Sequence, residues 1–125
     1  MIAAGDVFRW SRTFTLDDIQ QFGEISGDRG VHHIEPDDYG RLMTQGLLTA
    51  TLPTKLGGDL NYIARTMSLE FLRPVFSGDT IACQMIAREV SSSEHRLTVT
   101  FDMVLVNQHG KEVMTGHSTG IIRIQ

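Results

Sequence analysis

The stretch Gly46-Leu47-Leu48-Thr49-Ala50-Thr51-Leu52-Pro53-Thr54-Lys55-Leu56-Gly57-Gly58 interleaves leucines with small threonines and alanine, so that, wound as a helix, it is apolar on nearly every side. Such a helix must be enclosed by other elements and cannot lie on a surface. Pro53 removes one hydrogen bond and crowds the turn before it, at ~3 kcal/mol in an unadapted helix, which predicts a kink or an early end. Gly57-Gly58 is expected to close the helix, because positive φ is sterically cheap there.

The chain beyond Gly58 supplies the enclosure. Residues 63–72, 80–90, 95–106 and 111–124 read as four long strands, separated by turn signals at 74–79, 91–93 and 107–110. In the third, Leu97, Val99, Phe101, Met103 and Leu105 alternate with Thr98, Thr100 and Asp102, the period of a sheet with one face on a core. The short turns imply antiparallel pairing. On the other side, residues 8–14 suit a strand and Thr15 suits a helix N-cap, with Asp17 and Asp18 in the first turn. Ile19, Phe22 and Ile25 form one stripe, and Ser26-Gly27 should end that helix. Residues 28–45 are polar and aperiodic and read as a loop. The expected architecture is α+β, one domain over residues 1–125, with a curved antiparallel sheet wrapped around the buried helix. An open sheet keeps an exposed edge, so a homodimer is expected.

The chain has 125 residues, 41% of them apolar and 21% charged, a composition that folds. A net charge of −4 offers no basic surface for a nucleic-acid backbone. The single cysteine, Cys83, excludes an internal disulfide framework and a cysteine-based zinc cage and fits a reducing, cytoplasmic setting. No stretch approaches the ~18 apolar residues that span a bilayer, and no export signal is visible.

The densest group of titratable side chains is Asp28, His32, His33, Glu35, Asp37 and Asp38. A loop of that size can fold Asp28 and His33 onto one pocket, and a carboxylate beside an imidazole is a sound acid/base pair able to hold one water. The competing structural reading is that Asp28 closes the helix end and the histidines are solvated. A metal site built from the same residues is disfavoured, because adjacent histidines in an extended segment point to opposite sides and no histidines recur at helical spacing. Cys83 falls within an expected strand and reads as a small packed hydrophobe. Gln45-Gly46-Leu47 is the second informative place: a free amide at Gly46 can approach a ligand closely and favour an oxygen gaining negative charge.

Taken together these residues resemble the MaoC-like, (R)-specific enoyl-CoA hydratases, which have the hot-dog fold. The resemblance covers most of the chain. The family's Ser-Gly-Asp-x-Asn-Pro-x-His-x-Asp/Glu is matched by Ser26-Gly27-Asp28-Arg29-Gly30-Val31-His32-His33-Ile34-Glu35, its His-Gly-Met-Leu by Gln45-Gly46-Leu47-Leu48, and its Pro-Val-x-x-Gly-Asp turn by Pro74-Val75-Phe76-Ser77-Gly78-Asp79. It implies a water held between Asp28 and His33 and added to or removed from a 2-enoyl thioester on CoA or acyl carrier protein. It also implies an oxyanion donor at the Gly46 amide, substrate contacts at Gln45, Leu47 and Thr54, and no metal or redox cofactor. The pantetheine arm would enter at the dimer seam. The chain departs from the pattern at Gly30-Val31, where the family has Asn-Pro, and at Gln45, where it has histidine. Two other functions remain open: a hot-dog thioesterase that directs water at the carbonyl, and an acyl-thioester-binding module without catalysis.

Overall fold

The computed structural model describes residues 1–124. In chain order it contains β1 (Val7–Thr13), α1 (Leu16–Ser26), α2 (Val31–Ile34), α3 (Gly46–Thr49), α4 (Thr51–Asp59), β2 (Tyr62–Phe71), β3 (Thr80–Ser92), β4 (Arg96–Val106) and β5 (Glu112–Arg123). Thr15 caps α1 with a reciprocal box: its hydroxyl accepts from the Asp18 N–H at 3.1 Å and the Asp18 carboxylate accepts from the Thr15 N–H at 2.9 Å. Gly27 ends α1 in the left-handed region at φ 78°, as expected of the Ser-Gly pair.

The strands form one antiparallel sheet in the order β1-β3-β4-β5-β2. β3, β4 and β5 are joined by tight hairpins, whereas β2 does not pair with its successor β3. It sits at the far edge beside β5, so the segment after Phe71 crosses back over the sheet. The alternation in β4 resolves as expected, with Leu97, Val99, Phe101, Met103 and Leu105 buried against the helix. At ~1.5–3 kcal/mol for each fully buried large apolar side chain, this inner face is a principal source of stability.

The central helix differs from its sequence reading in three respects, the first being that it is enclosed on one side only, with Leu48, Leu52 and Leu56 buried and Leu47, Thr54 and Lys55 exposed. It breaks at Ala50, whose ψ of −8° lies off the helical value and separates α3 from α4. Pro53 has no N–H to offer the Thr49 carbonyl four residues earlier and its ring crowds that oxygen, so the turn opens at the next residue. The Pro53 kink is therefore real and lies three residues upstream. Gly57 and Gly58, expected to end the helix, are instead inside α4, and the left-handed residue beyond it is Asn61 at φ 57°. Gly57 makes room for Tyr62, whose ring lies 3.6 Å from where a Cβ would stand.

Tyr62 also accounts for a glycine within β5. Its ring packs edge-on against Phe101 at 5.0 Å and its hydroxyl meets the Ser118 hydroxyl at 2.9 Å. This lays the ring over Gly120, where a Cβ would overlap both the ring and the Ile63 carbonyl oxygen. Among the described residues no helix is long and apolar enough to cross a membrane.

Candidate functional site

The segment 28–45, read as a loop, contains one short helical turn, α2, and this places its two histidines differently from the expectation. They are not splayed to opposite sides of an extended strand: their rings lie 3.9 Å apart, His33 buried and His32 exposed. The His33 N–H donates to the Gly30 carbonyl at 2.8 Å, which winds the turn tightly enough to bring the ring back toward Asp28. Asp37, another candidate ligand, is turned away. It accepts from the Tyr39 N–H and from the Arg41 N–H and Nε, each at 2.9 Å. The Arg41 N–H first of all, against some desolvation, holds its carboxyl below the usual value. Among the described residues no three ligating side chains gather into a metal-sized group.

His33 is fixed by a residue the sequence reading did not single out. Its Nδ1 lies 2.6 Å from the Met43 carbonyl oxygen, an acceptor with no proton of its own, so Nδ1 must carry the hydrogen and donate. In the neutral ring Nε2 is then an acceptor, and it faces the Asp28 carboxylate at 3.5 Å. Two acceptors at that separation do not bond directly. They are suited to share the two hydrogens of one water, or to pair once the imidazole gains a proton. His33 is 7% exposed, whereas the Asp28 side chain is half exposed, so the pair has one foot in the core and one in solvent.

The Met43 carbonyl is held in turn by the crossover after β2. Met43 bridges Phe76, the Thr44 N–H donates to the Val75 carbonyl at 2.7 Å, and the Ser77 N–H donates to the Leu42 carbonyl at 2.8 Å. Asp28, His33, Gly46 and Leu47 all line one cavity of about 700 Å³ in front of this stitch, together with Thr44 and Phe71. The Phe71 ring also fills the space beside Gly46: an added Cβ would lie 2.7 Å from its Cε1. The bare peptide at Gly46 thus accommodates an aromatic ring, a role that nothing in its local sequence signals.

Gln45 lines a further cavity of about 250 Å³ together with Asp28 and His33, whereas Thr54 lies apart from that pair. Gln45 is 1% exposed and its amide nitrogen is directed at backbone carbonyls. The Thr54 hydroxyl donates to the Ala50 carbonyl at 2.8 Å. It faces a separate cavity of about 260 Å³ beside Pro53, Tyr62, Met67 and Phe101, with no lining residue in common with the first. Cys83 is buried, and desolvation pushes its thiol up to about 12, so it is no nucleophile at neutral pH.

No protein-family model matches the chain. A search of curated proteins finds a mitochondrial 3-hydroxyacyl-[acyl-carrier-protein] dehydratase of Arabidopsis thaliana, 25% identical over 130 residues, covering 98% of this chain and 78% of the plant protein. Among solved structures, the unliganded (R)-hydratase PhaJ1 of Pseudomonas aeruginosa superposes with a TM-score of 0.83 at 21% identity, over 99% of this chain and 87% of that one. An (R)-hydratase of A. caviae involved in PHA biosynthesis gives a TM-score of 0.83 at 24% identity, over 95% and 96% of the two chains. The fold is the hot-dog fold of the (R)-hydratases and MaoC-like dehydratases.

Proposed function

We propose that the chain is an acyl-thioester hydratase/dehydratase, adding water to a trans-2-enoyl thioester or removing it from the (R)-3-hydroxyacyl thioester. The observation that carries this reading is the pairing of Asp28 with the acceptor nitrogen of His33 at 3.5 Å, the ring's other nitrogen being committed to Met43. A water between them gives one hydrogen to Nε2 and is oriented by it. As its oxygen bonds to C3 of the enoyl group, its proton passes to the acid/base pair and the double-bond electrons move through C2 onto the thioester oxygen. The Gly46 N–H, on the same cavity, donates to that oxygen while it is negative. The proton then returns from the pair to C2, which balances the addition. Dehydration is the same path reversed. The curated plant dehydratase and the PhaJ1 hydratase are named for the two directions of this chemistry.

A second copy of the chain is the proposed partner. The edge strand β2 and the residue after it leave Ile63, Met67, Phe71 and Leu72 between 43% and 54% exposed, apolar side chains along an edge of unpaired backbone. Association along it would cover Phe71 at the mouth of the cavity. Light scattering across a dilution series tests this, and a monomer at all concentrations removes it. A cytoplasmic setting, with CoA or acyl carrier protein as the thiol, fits a chain whose lone cysteine is buried and unpaired.

The decisive assay follows loss of enoyl absorbance when crotonyl-CoA is added. Turnover that falls at least ~100-fold in both Asp28→Asn and His33→Asn supports the reading, and turnover untouched by both removes it. Release of free thiol instead identifies a thioesterase. Tight acyl-CoA binding with neither reaction identifies a binding module, the outcome that the Phe71 ring packed on Gly46 favours.

A further inference from the structure

We infer that Gln45 is a positioning residue, which holds the Asp28 backbone in register with the Gly46 amide so that base and oxyanion donor act on one substrate; this rests on the hydratase reading. Gln45 Nε2 donates to the Ile19 carbonyl at 2.9 Å and to the Asp28 carbonyl at 3.4 Å. Both partners are pure acceptors, so the nitrogen has to face them, and the side-chain oxygen Oε1 is left buried without a partner. Stranding a buried acceptor costs free energy, and an apolar side chain of the same length would avoid it. What the amide adds is the reach of its nitrogen.

That reach joins parts of the site that nothing local connects. The Asp28 N–H donates to the Ser26 hydroxyl at 3.0 Å, but Ser26 is two residues away and moves with the same turn. Gln45 lies on another element, seventeen residues further along. Its own carbonyl receives the Leu48 and Thr49 N–H groups at 3.0 and 3.1 Å, which fixes its backbone as the start of α3 and so aims the N–H of the adjoining Gly46. One residue therefore sets the donor through its main chain and the carboxylate's anchor through its side chain. Gly23 of α1 leaves room for the crossing: a Cβ there would touch both Gln45 Nε2 and the Asp28 carbonyl at 3.6 Å. A neutral imidazole at position 45 has one N–H and could not serve both carbonyls, whereas the amide has two.

The test uses the full-length chain with Gln45→Met, which keeps length and removes both donors, and Gln45→His, which restores one. Each is assayed with crotonyl-CoA and by NMR of the His33 ring, with Asp28→Asn as reference. The expected result for Gln45→Met is a fall of roughly 10- to 100-fold in kcat with KM within about twofold, the scale set by misplacing a reacting group by ~1 Å. Its thermal midpoint stays near wild type, its His33 signals move part of the way to those of Asp28→Asn, and Gln45→His recovers part of the loss. Unchanged kcat, or a loss that merely tracks the unfolded fraction while the His33 signals stay put, overturns the proposal. Should the wild type show no hydration at all, the hydratase reading fails on its own. The NMR arm still decides Gln45: displaced His33 signals support the anchor, and unmoved signals refute it.

Discussion

His33 is asked to do two things at once, and a pair of substitutions separates them. In asparagine the amide nitrogen stands as many bonds from Cα as Nδ1 does in histidine, so His33→Asn can still donate to the Met43 carbonyl, while the group at Nε2 is deleted. In glutamine the amide falls at the Nε2 position, so His33→Gln keeps a polar group toward Asp28 and abandons Met43. The Met43 oxygen has no other donor among the described residues, and its bond to the ring is 2.6 Å. Leaving it unpaired costs about 1–3 kcal/mol. Urea unfolding at pH 7 should therefore place His33→Gln about 1–3 kcal/mol below His33→Asn, about 4–12 °C in thermal midpoint for a domain near this size. Both variants should lose at least ~100-fold in crotonyl-CoA hydration, so that activity and stability part company. If the two unfold at the same urea concentration, the Met43 bond is not what orients the ring. The assignment of Nε2 as the free acceptor then loses its basis.

Three further outcomes test the surrounding structure. Gly120→Ala drives a methyl group into the Ile63 carbonyl and the Tyr62 ring, neither of which can yield without opening the β2–β5 edge, and should cost about 3 kcal/mol or more by urea unfolding. Cys83 should stay silent to a thiol-specific colorimetric reagent at pH 8 in the native chain and react at once in denaturant, because burial holds its thiol up at about 12. Asp18 is held below its ordinary value: partial burial raises it, and hydrogen bonds from the Thr15 N–H and hydroxyl and the Arg12 guanidinium more than offset that. Its folded value thus lies below its unfolded one, so the stability it adds is complete above about pH 4 and is lost as pH falls through the folded value. Thr15→Ala should cost about 1 kcal/mol at pH 7 and flatten that acid loss in urea titrations.

The fold was legible because its signals are periodic and local. The leucine-rich Gly46–Leu56 stretch and the strict alternation from Leu97 to Leu105 point to a helix packed on one face of a sheet, although the side of the helix carrying Leu47, Thr54 and Lys55 is exposed and not enclosed. Thr15 and Gly27 mark the ends of α1 by chemistry confined to a few residues. Asp28 and His33 were legible as a pair because they are rich in chemistry and five positions apart. What escaped was nonlocal. The role of Met43 is played by a carbonyl, which has no residue-specific signature, and the partner of Gly46 is Phe71, which comes from the far edge of the sheet. Gly57 and Gly58 look like a helix stop until Tyr62 is seen packing on one of them. Gln45 and Thr54 stand at substrate positions of the pattern, but the pattern does not show that the Gln45 amide, on a cavity with Asp28 and His33, donates to carbonyls or that the Thr54 hydroxyl bonds its own helix.

The stitching of residues 42–44 to 75–77 has a bearing on how the protein matures. β2 must find β5, its neighbour in space but some fifty residues distant in the chain, before the returning segment can lie across the sheet. Pairings of such long separation close late and slowly. The imidazole is therefore locked only after a long-range pairing has closed, and a chain halted earlier holds its helix and central hairpins without the His33 ring pinned to Met43. Burst-labelling of backbone amides during refolding should find Met43 and Thr44 among the last to be protected.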